Sequence, residues 1–278
     1  MRLSSIIMSV AILLAACSGQ TAQKEESIKK DEPVAEEKKP DLVEQEDVQS
    51  PETNVEEEKG EEPIDEVAAP EYKMNAVFAL EPIKDANPKV VLLTIDDAPD
   101  KYALEMAKTL NELQAPAIFF VNGHFINSPE KEAILKEIYN LGFEIGNHTF
   151  SHANLTSLSP EEQKEEILSV NDKVEEITGE RPKFFRAPFG ANTDVSKQIA
   201  AEEKMLVMNW TYGYDWEKDY MSQDAIADIM VNTELLVNGA NLLMHDREWT
   251  NAGLEQIVNG LRDKGYETLD PKLIETPQ

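Results

Sequence analysis

From about residue 74 onward the chain alternates short apolar runs with longer stretches of helical periodicity. Seven runs read as strands: residues 90–95, 117–122, 143–146, 184–186, 205–210, 241–244 and 266–269. Most are continuously apolar or β-branched, the pattern of strands covered on both faces. Helical patterns fill the intervals at 101–113, 130–141, 160–178, 194–203, 222–236 and 251–264. Ser159-Pro160-Glu161-Glu162 supplies an N-cap, a proline at the first helical position and an acidic first turn. Gly142, Gly179 and Gly265 each follow a helical stretch as a stop. About seven β-α units in succession predict an α/β fold with a parallel sheet, doubly wound or closed into a barrel.

The first 73 residues follow a different pattern. Met1-Arg2 is a short positive start, and the apolar run 6–14 is too brief for a permanent membrane span. It ends in Leu14-Ala15-Ala16-Cys17, which resembles a bacterial lipoprotein signal. Residues 1–17 are therefore expected to be a signal, with Cys17 lipidated and the protein held by its lipid on the extracellular face of a bacterial membrane. Cys17 is the only cysteine, so no disulfide can form within the chain. Residues 18–73 are expected to be a disordered acidic linker. The stretch 18–70 has no aromatic residue and no apolar periodicity, so it cannot offset its ordering entropy by burial. A tether of ~55 residues reaches from about 40 Å as a coil to roughly 180 Å stretched.

The formal net charge is −28. Residues 18–72 hold 19 acids against 6 lysines, while 73–278 carry a net −16. Neither part offers the basic footprint that binding nucleic acid requires. The domain at 74–278 is expected to be a monomer.

Chemistry gathers where the strand runs end. The first ends in Asp96-Asp97 and the third in Asn147-His148, with His152 four residues on. The fourth ends in Arg186-Ala187-Pro188, Asp215-Trp216 follow the fifth, and the sixth ends in His245-Asp246. In a β/α barrel these ends share one face. Two histidines and a carboxylate suit Zn²⁺ or a similar ion with positions left open. The His148–His152 spacing brings both imidazoles together if the segment makes one helical turn. An HxxxH pair alone is a weak signal, and two loop histidines are the bland reading. The adjacent acids are the sharper clue, because burying both without a cation is costly.

Thr94-Ile95-Asp96-Asp97-Ala98-Pro99, His148-Thr149-Phe150-Ser151-His152, Arg186-x-Pro188-x-Gly190, Asp215-Trp216 and Leu243-Met244-His245 resemble, in order, the five motifs of the NodB-like polysaccharide deacetylases, carbohydrate esterase family 4. The resemblance extends over about 89–270. It implies a distorted (β/α) barrel of about seven parallel strands and a hydrolase that removes N-acetyl groups from a glycan. Asp97, His148 and His152 would hold one divalent metal, Zn²⁺ or else Co²⁺ or another ion. Asp96 would be the catalytic base, oriented by Arg186, and His245 the acid, kept protonated by Asp215. The backbone N–H of Phe189 would stabilise the oxyanion. Trp216 and Leu243 would line the pocket for the acetyl methyl.

Ile95, Ala98 and Phe189 depart mildly from the family's usual Phe, Gly and Tyr. The fourth motif departs more: Trp210 lies close to Asp215, and Gly213 falls near a position that is often acidic. His124 is expected to be a loop or subsite residue. A zinc peptidase of the HExxH type fails at Thr149, which stands where the glutamate is needed. A polysaccharide of the cell envelope is the expected substrate, with peptidoglycan N-acetylglucosamine or N-acetylmuramic acid first. Chitin-like or poly-N-acetylglucosamine glycans, O-acetyl xylan, and a non-catalytic glycan-binding lipoprotein are the alternatives.

Overall fold

The computed structural model describes residues 69–278. The signal, Cys17 and nearly all of the acidic linker lie outside the described residues. The described part opens with a short antiparallel hairpin, β1 (Tyr72–Met74) and β2 (Leu80–Pro82). Then come β3 (Val90–Ala98), α1 (Ala103–Glu112), β4 (Ala117–Val121), α2 (Pro129–Asn140), β5 (Glu144–Asn147), α3 (Pro160–Thr178) and β6 (Phe184–Phe185). The chain continues through α4 (Asp194–Glu202), β7 (Leu206–Val207), α5 (Gln223–Asn232), β8 (Ala240–His245), α6 (Glu248–Asp263) and β9 (Glu267–Thr268).

Strands β3 to β9 form one parallel sheet of seven strands, in the order β7-β6-β5-β4-β3-β8, with β9 also on β3. Beyond β7 the chain comes round to β8, where Tyr212 bridges Leu242 in parallel. The sheet is therefore curled, and its two faces have separate cores. Leu93, Ile95, Phe119, Val121 and Ile145 pack outward against Met106, Leu110, Leu254 and Ile257 of the helices. Leu92, Ile118, Phe120, Phe184 and Met208 pack inward, where Tyr72, Leu80 and Ile274 close one end. This is why the strand runs are apolar on both faces.

The helix signals are realised where capping decides them. Ser159 and Glu162 form a reciprocal capping box at the start of α3, and Gly179 ends it in the left-handed region at φ 91°. The hairpin was not foreseen, since three-residue strands carry too little pattern. Tyr72, buried in the inner core, already belongs to the folded unit. β7 is much shorter than the run 205–210. Arg186 and Asn241 both donate to the Asn209 carbonyl, which draws that backbone out of the ladder and into the interior.

Candidate active site

In a regular strand, neighbouring side chains point to opposite faces. Along β3, Leu92, Thr94 and Asp96 face the interior, so Asp97 should face the helices. The pairing of β3 with β4 instead shifts register between Ile95 and Ala98, and Asp97 takes φ 61°. Such an irregularity re-aims a side chain. Both acids thereby reach the same mouth. Asp96 is buried, with Oδ1 2.6 Å from Arg186 Nη1 and Oδ2 3.5 Å from His148 Nε2. Asp97 Oδ1 lies 3.6 Å from His152 Nε2.

The histidine segment does not make the helical turn that the spacing suggested. It is a loop in which Thr149 (φ 67°) and His152 (φ 59°) are left-handed. Hydrogen bonds to its flanks replace those of a helix. The Thr149 N–H donates to Asn147 Oδ1, the Phe150 N–H to the Glu166 carbonyl, and the Ser151 N–H and hydroxyl to the Glu166 carboxylate. α3 thus holds the loop from outside. His148 Nδ1 lies 2.7 Å from the Arg186 carbonyl, which makes Nδ1 the protonated nitrogen and leaves Nε2 as the donor. Burial lowers the His148 pKa, favouring the neutral ring that a metal needs. Ligand atoms of Asp97, His148 and His152 all lie within 4.8 Å of one another. This donor set, with Nε2 of His148 already oriented, fits a divalent ion such as zinc.

Arg186 is fully buried in the curl of the sheet. Nη1 donates to Thr94 Oγ1 (2.8 Å) as well as to Asp96, and Nη2 to the Asn209 carbonyl (2.9 Å). Its guanidinium lies 4.3 Å from the centre of the Phe120 ring. Burial pushes its pKa down, while the Asp96 charge opposes that. Asp96 is thus paired with a cation that has no access to water.

The opposite wall comes from β8 and the segment before α5. His245 Nδ1 lies 2.7 Å from Asp215 Oδ1, and the His245 N–H donates to Asp215 Oδ2. Thr250 and Trp249 tie Asp215 in turn, through its Oδ2 and its carbonyl respectively. Burial would lower the His245 pKa, but the hydrogen bond and charge of Asp215 outweigh it, with Asp96 and Asp97 adding, so the pKa is raised. The Trp216 ring stands edge-on to His245, centroids 5.5 Å apart, and is partly exposed. Leu243 is buried beneath it on β8. A Cβ at Gly213 would come 2.4 Å from the Leu243 carbonyl and 2.8 Å from the Trp216 ring. No larger residue fits there, which accounts for the missing acid. Phe189, left-handed at φ 59° and exposed, sets its ring edge-on to His152 at 4.9 Å.

All the site residues chosen from the sequence, Cys17 excepted, therefore gather at one end of the sheet. His124 stands apart from the ligand set, its Nδ1 2.8 Å from the Phe150 carbonyl. Sequence reasoning missed Thr94, Asn241 and Thr250, and it left Asp246 and Arg247 without roles. Asp246 accepts from the N–H groups of Lys101, Tyr102 and Ala103, capping α1 from across the fold. The only signal for the last two was their place directly after His245.

The parallel sheet brings to one end an Asp/His/His group able to hold a metal ion, beside the Asp96–Arg186 and His245–Asp215 pairs. Residues 83–208 match the model of the polysaccharide deacetylase family. Two curated relatives match at 32% identity over 67% and 69% of this chain. One is the peptidoglycan-N-acetylmuramic acid deacetylase PdaC of Bacillus subtilis. The chain spans 58% and 40% of their lengths, about half. A peptidoglycan-N-acetylglucosamine deacetylase of Bacillus cereus matches at 30% over 64% of this chain and 68% of its own length. Among solved structures, BA3943, a CE4 family pseudoenzyme from Bacillus anthracis, superposes with a TM-score of 0.59 at 28% identity, covering 65% of this chain and 63% of that one. The chain belongs to the polysaccharide deacetylase family.

Proposed function

We propose that this chain hydrolyses N-acetyl groups of a cell-envelope polysaccharide, with the glucosamine or muramic acid residues of peptidoglycan as substrate. The observation that carries the reading is the convergence of Asp96–Arg186, the Asp97/His148/His152 set and His245–Asp215 on one cleft. Asp97, His148 and His152 would hold a divalent ion, which when bound would supply Lewis-acid polarisation of the acetyl carbonyl and lower the pKa of water. Asp96 takes the proton from the attacking water at Oδ2, while Arg186 holds Oδ1 and fixes the carboxylate's orientation. His245, held at Nδ1 by Asp215, gives a proton from Nε2 to the leaving nitrogen. The Phe189 N–H receives the oxyanion, and Trp216 and Leu243 shape the methyl pocket. The products are acetate and a free amine.

Zinc is the ion this donor set suits, although Co²⁺ would fit the same three ligands. Lipidation at Cys17 would hold the domain outside a bacterial membrane, with the residues from 18 to about 70 as its tether to the wall, since β1 already belongs to the folded unit. That part of the reading rests on Leu14-Ala15-Ala16-Cys17 and the acidic composition of the linker. Metabolic labelling with a fatty acid, lost in Cys17→Ser, tests it.

A relative described as a pseudoenzyme favours a second reading, a glycan-binding domain without catalysis. Asp96, His245 and their partners are all present here, which favours the enzyme. The deciding experiment measures acetate release by the zinc-loaded protein from peptidoglycan, chitooligosaccharides and acetylated xylan. Release from peptidoglycan above the others supports the first reading. Binding of peptidoglycan with no acetate from any of the three establishes the second.

A further inference from the structure

Each of the two adjacent acids has its own guanidinium, and only one of these was legible in the family motifs. Asp97 Oδ2 lies 2.7 Å from Arg247 Nη2, while Oδ1 of the same carboxylate faces His152. The pair bridges 150 residues of sequence. Asp97 is 13% exposed and Arg247 37%, so the bond sits at the rim of the cleft, partly screened from water. A charge-assisted bond of this kind fixes the rotation of a carboxylate as well as stabilising it.

The backbone of Arg247 is itself tied to the segment that carries Asp97. The Asp246 N–H donates to the Asp96 carbonyl at 3.0 Å. The Asp246 carboxylate accepts from Lys101, Tyr102 and Ala103 just beyond the acids. Asp246 and Arg247 thus hold both ends of the loop 97–103, one through backbone amides and the other through the ligand's side chain. Without that hold, Asp97 could turn both oxygens toward an ion.

We propose that Arg247 is a positioning residue of the metal centre: by occupying Oδ2 of Asp97 it leaves Oδ1 as the single donor and keeps a coordination position open. The inference rests on the metal-site reading above but not on any substrate. Partners that orient a ligand in this way contribute about 10- to 100-fold to metal affinity or activity.

The test uses the full chain as wild type, Arg247→Ala and Arg247→Lys, with two readouts that need no turnover. Zinc affinity is measured by competition with a chelator of known strength, and coordination by the visible absorption of the Co²⁺-loaded protein. Arg247→Ala should weaken zinc binding roughly 10-fold or more. Its cobalt absorption should fall as Asp97 contributes a second oxygen and the coordination number rises. Arg247→Lys, which keeps a charged donor, should recover most of both. The thermal midpoint of the metal-free protein should be unchanged, since the arginine is partly exposed. If Arg247→Ala binds zinc as tightly as wild type, or more tightly, with the same cobalt spectrum, the inference is overturned and the metal-site reading stands. If the wild type binds neither ion, both fall together.

Discussion

The two walls of the cleft are built on opposite principles. The wall carrying Asp96 is anchored from below by Arg186, which is wholly buried and held through Nη1 and Nη2 by Thr94, Asp96 and the Asn209 carbonyl, while its Nε has no partner among the described residues. The wall carrying His245 is anchored by Asp215, a carboxylate held by the His245 N–H and Thr250. In the first a buried cation pairs with the carboxylate proposed as the base. In the second a buried anion raises the pKa of the imidazole proposed as the acid. The chain sets two titratable groups at the same cleft over partners of opposite sign, Arg186 beneath Asp96 and Asp215 beneath His245, and Asp215 raises the His245 pKa.

Several changes would break one wall and spare the other. Chelation should have the largest effect, reducing acetate release to background, with zinc or cobalt restoring it. Asp96→Asn removes only the base, so release should fall about 10²- to 10⁴-fold while zinc titration shows an intact site. Retention of more than a tenth of the activity would exclude Asp96 as the base. Arg186→Leu leaves Asp96 buried without its cation and should cost about 3–5 kcal/mol of stability, read from denaturant unfolding.

Asp215→Asn sharpens the contrast through pH. The raised pKa of His245 means that activity is lost as pH rises through that folded value, where the acid loses its proton. Removing the Asp215 charge should move this alkaline limb to lower pH and leave the acid limb in place. The same raised pKa adds stability below the unfolded value of about 6.5, lost as pH rises through the folded one. His148 behaves oppositely. Its pKa is lowered by burial, so its contribution is present above about 6.5 and disappears as pH falls through the folded value. Trp216→Ala is the mildest change and should raise KM several-fold with little effect on kcat, as loss of uniform binding does.

Much of this was legible without coordinates, for reasons that differ from residue to residue. The strands β3, β4 and β8 could be read because a strand covered on both faces must be apolar throughout. α3 could be bounded because Ser159 and Gly179 act within a single turn of backbone. β1 and β2 could not be read, since their pairing is decided by the end of the inner core that they close. The left-handed loop between the histidines was likewise hidden. Its conformation depends on Asn147 and Glu166, and the latter belongs to another element.

The sequence by itself determined the order of the elements, the acid pair and the histidines at strand ends, and through their motifs the family. Those are local properties, written in side-chain type and spacing. Only the tertiary structure decided that a register shift in β3 turns Asp97 beside Asp96, that Asn209 and Asn241 receive the buried Arg186, and that Gly213 has no room for an acid. Arg247 finding the second oxygen of Asp97 belongs with these. Each depends on groups brought together by sheet curvature across tens to hundreds of residues, a distance at which local spacing along the chain carries no signal.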